Sequence, residues 1–410
     1  MVLNYIWISF FILAFGVALV KLIVFNDTTV FPAMLQSTFD MAKTGFEISI
    51  GLAGVMSLWL GLMKIGERGG MIPILSKIVG PFFSRLFPEI PKNHPATGSI
   101  IMNFSANILG LDNAATPLGL KAMSELQEIN PDKNTASNAQ IMFLVLNASG
   151  LTVIPISILA DRAMLQSTNP TSIFIPTLIA TFCSTFFGLL YVCIRQKINL
   201  FDPVILAYIL GMLILISSIV LYFSGLTPEQ IQTQSSLITA VIIFSIIVSF
   251  IVLGWRRRIP VFETFIEGAK EGFATSIKII PFLVGILVGI GVFRSSGVLN
   301  YIEDGIAWCV IALGMNADFV PALPVALLKP LSGQGARSMM IEISKVYGPD
   351  SFVANLSSIF RGCAETTLYL LALYFGSVGV RNTRYAVTGG LIADLAGVIG
   401  GIFVGYLFFH

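Results

Sequence analysis

The residues best placed to do chemistry are polar groups set in apolar surroundings. Asn103 and Asn107 lie in Asn103-Phe-Ser-Ala-Asn107-Ile-Leu-Gly110-Leu-Asp112-Asn113-Ala-Ala-Thr116-Pro117-Leu-Gly119. Their i, i+4 spacing puts both amides on one helix face, where they can donate to and accept from a polar solute. Asp112, Asn113 and Thr116 follow within the same stretch. Asn113 or Asp112 can equally cap a helix starting near Ala114. A second stretch reads Lys329-Pro330-Leu331-Ser332-Gly333-Gln334-Gly335-Ala336-Arg337. Gly333 and Gly335 permit a tight turn around Gln334. Arg337, a turn into the next helix, can meet an anion; the plain alternative is a structural ion pair or snorkelling. A third stretch holds Arg361, Glu365, Thr366 and Thr367. Arg361 and Glu365 are i, i+4 apart and can pair on one helical face. An acid within an apolar segment is costly, so Glu365 reads as a proton or sodium site or an anchor for a cation. The corresponding place in the first half carries Asn147, Ser149 and Thr152, polar but uncharged. The solute-binding set is therefore Asn103, Asn107, Asp112, Asn113, Thr116, Asn147, Ser149, Ser332, Gln334, Arg337, Thr366 and Thr367. The ion-coupling set is Asp112, Arg361 and Glu365.

Catalytic chemistry finds little support. His94 and His410 are far apart, and HExxH, GxSxG and CxxC patterns are absent from the sequence. Cys183, Cys193, Cys309 and Cys363 are scattered through apolar stretches and read as free thiols. Asp112 and Asp394 could serve an intramembrane hydrolase only if they met, and nothing in the sequence brings them together. No enzyme activity, metal or cofactor is expected.

The elements that must position these residues are membrane helices. Of 410 residues, 55% are hydrophobic and 11% charged, against roughly 25% charged in soluble domains. A net charge of +2 gives no basis for a nucleic-acid partner. Apolar runs long enough to span the bilayer cover residues 2–20, 140–160, 171–194, 203–223 and 236–254. Residues 46–63, 362–380 and 385–409 each add a run with a single acid, Glu47, Glu365 and Asp394 respectively. With the shorter run 279–293, about nine crossings are expected. No basic segment precedes the first run and no small-residue cleavage site follows it, so it reads as a helix and not a secretory signal. Three pieces are interrupted: residues 94–111, 114–126 and 319–328 carry Pro, Gly or Asn. Such segments mark re-entrant or broken helices, which persist only where protein or water satisfies their backbone.

Basic residues set the orientation. Arg195, Lys197 and the run Arg256–Arg258 flank a hairpin whose tip, residues 224–235, has no Lys or Arg. The arginines are placed in the cytoplasm and the N-terminus inside. Lys43 and Glu47 are expected to pair near a helix start.

The chain also shows a duplication. Met41–Ile50 and Gly268–Ile277 match at six of ten positions. An apolar span, a charged glycine turn, a broken segment and two further spans follow in both halves. The organisation expected is an N-terminal helix (1–33), repeat one (34–200), a hairpin and basic linker (201–260), and repeat two (261–410). The first helix and the hairpin change the parity, so the repeats are expected in inverted topology. The charge bias agrees: five Lys/Arg fall in 64–92 against Arg294 alone in 294–318. At the later connection Arg162 stands alone in repeat one, against Arg381 and Arg384 in repeat two. The fold class is an all-α polytopic membrane protein with two inverted repeats and broken helices.

The stretch 103–119, together with Lys329–Arg337 and Arg361-Gly-Cys-Ala-Glu365-Thr366-Thr367, resembles the spore maturation proteins A and B joined in one chain. These carry nucleoside-recognition Gate domains, related to segments of concentrative nucleoside transporters and of ferrous iron transporter B. The resemblance implies a permease-like protein of the bacterial cytoplasmic membrane and leaves its cargo open. The GxxxxGK[ST] loop of nucleotide-driven relatives is absent from the sequence. The leading expectation is a secondary transporter working by alternating access, with H+ or Na+ coupling and a small polar solute as its partner beside membrane lipids. A homo-oligomer stays open. The rivals are a non-transporting scaffold or regulator of the cell envelope or of spore maturation, and a channel.

Overall fold

The computed structural model describes residues 2–91, 94–108, 112–150 and 155–410, without the side chains of 2–6, 52, 112–114, 156, 228, 229, 232, 236, 275, 278, 279 and 282. Gly110, Thr152 and the side chains of Asp112 and Asn113 thus lie outside the described residues.

Helices α1 (Val2–Phe25) and α2 (Val30–Arg68) open the chain. They are followed by α3 (Met71–Leu86), α4 (Pro95–Ile108), α5 (Asp112–Glu128), α6 (Asn138–Ala148), α7 (Ile156–Met164) and α8 (Phe174–Gln196). Helices α9 (Pro203–Ser224) and α10 (Pro228–Arg256) form the hairpin. The remainder is α11 (Val261–Ser295), α12 (Val298–Ala312), α13 (Leu323–Leu328), α14 (Gly333–Tyr347), α15 (Phe352–Gly362), α16 (Thr367–Ser377) and α17 (Ala386–Phe409). Local signals fix several starts. Asp202 caps α9 by accepting from Val204 N at 2.9 Å, and Thr227 with Gln230 forms a capping box on α10. Both helices have Pro at the first position, where no N–H is missed.

Among the described residues, six helices are long and apolar enough to cross a bilayer, and the pair Leu283–Ser295 and Val298–Ala312, bent by 69°, adds a seventh. Helices α1, α9 and α10 expose rows of large apolar side chains, among them Ile12, Phe15, Ile214, Leu221, Val241 and Phe244. Water would penalise such faces, and lipid accepts them. The protein is an all-α polytopic membrane protein. The expectation of about nine crossings is corrected in two places. The run 140–160 is not one helix, because α6 ends at Ala148 and α7 begins at Ile156. The run 362–380 is shortened as well, since α15 ends at Gly362 and α16 starts at Thr367. Both breaks contain polar or small residues that hydropathy alone does not register as interruptions.

The order of elements repeats. Helices α2 and α11 are long, with 39 and 35 residues, and each is followed by a left-handed glycine, Gly70 (φ 84°) and Gly297 (φ 88°). Only glycine adopts that conformation without steric cost. The helices after them, α3 and α12, have 16 and 15 residues. Interrupted pairs α4–α5 and α13–α14 come next, then α6 and α15 with 11 residues each. The short helices α7 and α16 and the long helices α8 and α17 close the two series.

The chain divides into two compact units that are not the two sequence halves. One comprises Met1–Trp59, Ser157–Pro170 and Ala269–Arg361, and the other Leu60–Ile156, Thr171–Gly268 and Gly362–His410. The first contains α12–α15 together with α7; the second contains α3–α6 together with α16. Each unit therefore takes its short helix from the opposite repeat, and both exchanges occur at a helix break.

Within the first unit, Ala14 and Ala18 of α1 are fully buried in a cluster with Val30 and Met34 of α2 and Val292 of α11. Trp7 Nε1 donates to Gly285 O at 2.8 Å. Within the second unit, an aromatic chain links four helices. Phe83 stacks on Phe104 with centroids 4.4 Å apart, Phe104 meets Phe143 at 5.8 Å, and Phe143 meets Tyr374 at 5.3 Å. This chain sets α16 against α6 and α4. Helix α17 lies close to α8 through small residues: a Cβ on Gly188 would come within 2.9 Å of Ala393 Cβ. Close approach through small residues is the usual means of joining helices in lipid, where apolar burial gives no drive.

Candidate functional site

The second unit holds an amide cluster. Asn103 and Asn107 do share one face of α4. Asn103 is fully buried and its Nδ2 donates to Ala115 O at 2.8 Å, which ties α4 to α5. Asn107, half-buried, donates from Nδ2 to Asn147 Oδ1 at 2.8 Å and lies 3.4 Å from Asn103 Oδ1. Asn147, near the end of α6, donates to Phe143 O at 2.8 Å, and its Oδ1 also accepts from the Tyr374 hydroxyl at 3.4 Å. Three amides and a phenol thus converge from α4, α6 and α16. Buried polar groups are expensive unless partnered, and here they partner one another. Thr116 is half-buried on α5. Ser149 is buried, and its hydroxyl donates to Leu146 O at 2.7 Å, finishing α6.

The break between α15 and α16 is fixed against the end of α6. Glu365 N donates to Ala148 O at 2.8 Å. Gly150 is left-handed, with φ 61°, and a Cβ there would lie 2.8 Å from Glu365 N. The C-terminus of α6 and the N-terminus of α16 therefore meet, and their opposite partial charges are complementary. Thr366 and Thr367 are buried at the start of α16, and Thr367 Oγ1 donates to Asp394 Oδ2 at 2.8 Å. Asp394 is thus held by a hydroxyl across the α16–α17 contact.

Two expectations about Glu365 are corrected. It lies in the break and not on a membrane helix, and its side chain is exposed. It also shares no helical face with Arg361, because α15 ends at Gly362.

The first unit holds charge in place of amides. Ser332 Oγ accepts from Gly335 N at 3.0 Å, capping α14. Gln334 follows, half-buried. The Arg337 guanidinium grips Asp161 of α7, with Nε at 3.1 and 2.9 Å from the two carboxylate oxygens and Nη2 at 2.5 Å. Both side chains are almost wholly buried, at 3% and 1% exposure. Arg162 next to it is also buried; it donates to Pro170 O at 3.2 Å, Pro349 O at 3.1 Å and Ser167 Oγ at 3.0 Å, and pairs with Asp350 at 3.3 Å. Arg162, a connection charge by sequence, is an interior one in the structure. Asp350 lies in the loop between α14 and α15. Burial alone would raise its pKa, but hydrogen bonds from Ser167 and Thr168 and the Arg162 charge outweigh that and hold it below the usual carboxylate range. Lys43 and Glu47 form their expected pair at 3.8 Å, well exposed, but within α2 and not near a helix start, since α2 begins at Val30.

Asp161, Glu342 and Tyr374 are site residues that sequence pattern does not single out, and Arg162 reads there only as a connection charge. The acid–base dyad Asp161-Arg162 at the end of an apolar run was a usable signal. Tyr374 carried none, since an aromatic in a membrane helix is ordinary.

Residues 49–162 match the Gate family model, described as nucleoside recognition, so the match contains Asn103, Asn107 and Asn147. Spore maturation protein B of Bacillus subtilis (strain 168) is 44% identical over 164 residues, 40% of this chain and 90% of that protein. Spore maturation protein A of the same organism is 41% identical over 181 residues, 44% of this chain and 89% of that protein. The chain belongs to the spore maturation protein A/B family. As a member of that family it is a multi-pass bacterial membrane protein carrying a nucleoside-recognition domain. No solved structure matches the chain.

Proposed function

We propose that the protein is a secondary transporter for a small polar solute, working by alternating access with proton or sodium coupling. The carrying observation is the amide cluster Asn103–Asn107–Asn147 beside two helix ends that meet at a break. Amides present a donor and an acceptor side by side and suit the edge of a planar polar molecule. Interrupted helices supply the free backbone groups that transporters use to hold solutes. Thr116, Thr366 and Thr367 add hydroxyls in the same unit. In this reading Ser332 and Gln334 belong to the counterpart hairpin, while Arg337 has a structural role because Asp161 already satisfies it.

The repeated order α2–α8 and α11–α17 supports the layout of an A-like half (34–200) and a B-like half (261–410) around the hairpin, with 1–33 as an added helix. The inverted arrangement and the cytoplasmic N-terminus rest on the basic residues at Arg195–Lys197 and Arg256–Arg258.

The test is uptake into proteoliposomes of a panel of labelled nucleosides and other small polar solutes, under imposed proton and sodium gradients. Gradient-driven uptake that Asn107→Ala removes supports the proposal. Solute binding with no flux under either gradient sinks it and favours a receptor or scaffold.

A further inference from the structure

Helix α14 carries a line of oxygens that the amide site does not use. Gln334, Ser338 and Glu342 are spaced i, i+4, i+8, so they share one face. Gln334 Oε1, Ser338 Oγ and Glu342 Oε2 are buried and have no hydrogen-bond partner among the described residues. Ser338 is fully buried, and Glu342 is 4% exposed. The line ends at a charge cluster in the same unit. Arg294, at the end of α11, pairs with Glu342, its Nε 2.6 Å from Oε1, yet Arg294 Nε and Nη2 are also buried with no hydrogen-bond partner among the described residues. Glu303 of α12 lies within electrostatic range of both Arg294 and Glu342, and its Oε1 is also buried without a partner.

The remaining ionisable groups nearby are few. Asp304 is exposed beside Glu303. Tyr347 of α14 places its ring 5.9 Å from the Arg294 guanidinium. Lys21 of α1 sits over the Tyr301 ring at 5.7 Å. One guanidinium therefore faces two carboxylates. Arg294 neutralises one of them. Glu303 is half-buried with one oxygen shielded from water, so a second bare carboxylate there is disfavoured, and that oxygen lacks a donor. A single proton resolves both problems, since a neutral acid carries no charge and supplies the missing O–H.

We infer that Glu342 and Glu303, bridged by Arg294, hold one exchangeable proton, and that Ser338 and Gln334 form the polar route along α14 by which it is reached. This rests on the transporter reading only for its purpose: the pair would be the coupling site, in place of Glu365. The proton site itself stands independently of any flux.

The experiment is infrared spectroscopy of the full chain in lipid nanodiscs, following the protonated-carboxyl stretch across pH. The wild type should show one such signal. Glu342→Gln and Glu303→Gln should each abolish it, because either leaves a single acid matched to Arg294. Arg294→Gln should double it, because both acids then need a proton. Ser338→Ala should keep the signal but slow its shift on transfer to heavy water. Ser249→Ala, exposed on α10 in the other unit, should leave it unchanged, and a retained melting transition shows that each variant is folded. A wild-type signal that survives both glutamine variants overturns the inference. So does its loss on adding sodium at constant pH, which would assign the site to a metal cation. If the signature is intact and no solute moves, only the transport reading falls; if flux is intact and the signature absent, only the proton site falls.

Discussion

Arg337 and Asp161, 176 residues apart in sequence, form a buried bidentate ion pair between α14 and α7. The pair joins a helix of the second repeat to a short helix that the first repeat contributes to that unit. Such a pair is matched in charge and geometry, and breaking it leaves one charge stranded. Asp161→Asn should cost about 3–5 kcal/mol and lower the melting temperature in detergent sharply. The double variant Asp161→Leu with Arg337→Met should recover most of that loss. Equal destabilisation of the single and double variants would show that the charges themselves are not what matters there.

Asn107 donates to Asn147 across 40 residues of sequence at 2.8 Å. Asn107→Ala should destabilise by only about 1 kcal/mol, the value of one neutral hydrogen bond. Its effect on solute uptake should be larger, about tenfold or more, equivalent to about 1.4 kcal/mol. Comparing melting curves with initial uptake rates separates the two. An uptake loss fully explained by loss of folded protein would remove Asn107 from the site.

Gly150 has both a left-handed backbone and a neighbour, Glu365 N, at 2.8 Å from where a Cβ would stand. Gly150→Ala should therefore force apart the ends of α6 and α16. A penalty of about 1–2 kcal/mol from the backbone alone is expected, with the clash added. Thermal stability and protease sensitivity at the break report it, and an unchanged Ala variant would count against the meeting of these two helix ends.

Asp350 supplies a pH dependence. Its folded pKa is depressed below 3.8. A depressed group contributes stability above its unfolded value and loses it as pH falls through the folded value. Asp350→Asn should thus be less stable than wild type at neutral pH. The difference should shrink as pH drops below the ordinary value of 3.8. A gap that persists unchanged into that range would mean that the carboxylate charge is not its source. Melting curves at stepped pH measure it.

Membrane sidedness provides a further check on the inverted arrangement. Single cysteines placed in 224–235 and in 377–384 of a chain lacking its own cysteines should be labelled from opposite sides of the membrane. Labelling from the same side would remove the inverted topology.

Much of this architecture was legible in the chain. Long apolar runs have one stable form in lipid, a hydrogen-bonded helix, so α1, α8, α9, α10 and α17 follow from composition alone. Gly70 and Gly297 mark equivalent turns because few other residues tolerate that conformation. Pro and Gly in 94–111 and 319–337 foretold the interrupted pairs, and the i, i+4 spacing of Asn103 and Asn107 foretold their common face. Hydropathy hid the breaks after α6 and α15. Gly150, left-handed just past the α6 cap, and Pro155, just before α7, are local signals of the first; the contact that holds the second, the Glu365 N–H on Ala148 O, was not legible. The match of Asn107 with Asn147, Arg337 with Asp161, and Glu342 with Arg294 was likewise beyond reach. Local pattern sets which face of a helix is polar. Only packing decides which distant helix meets it, because the energy of a buried polar group depends on the partner it finds. The sequence by itself determined the membrane helices and the doubled order of elements. The exchange of α7 and α16 between the two units, and the partner that each buried polar group finds, were decided by tertiary structure.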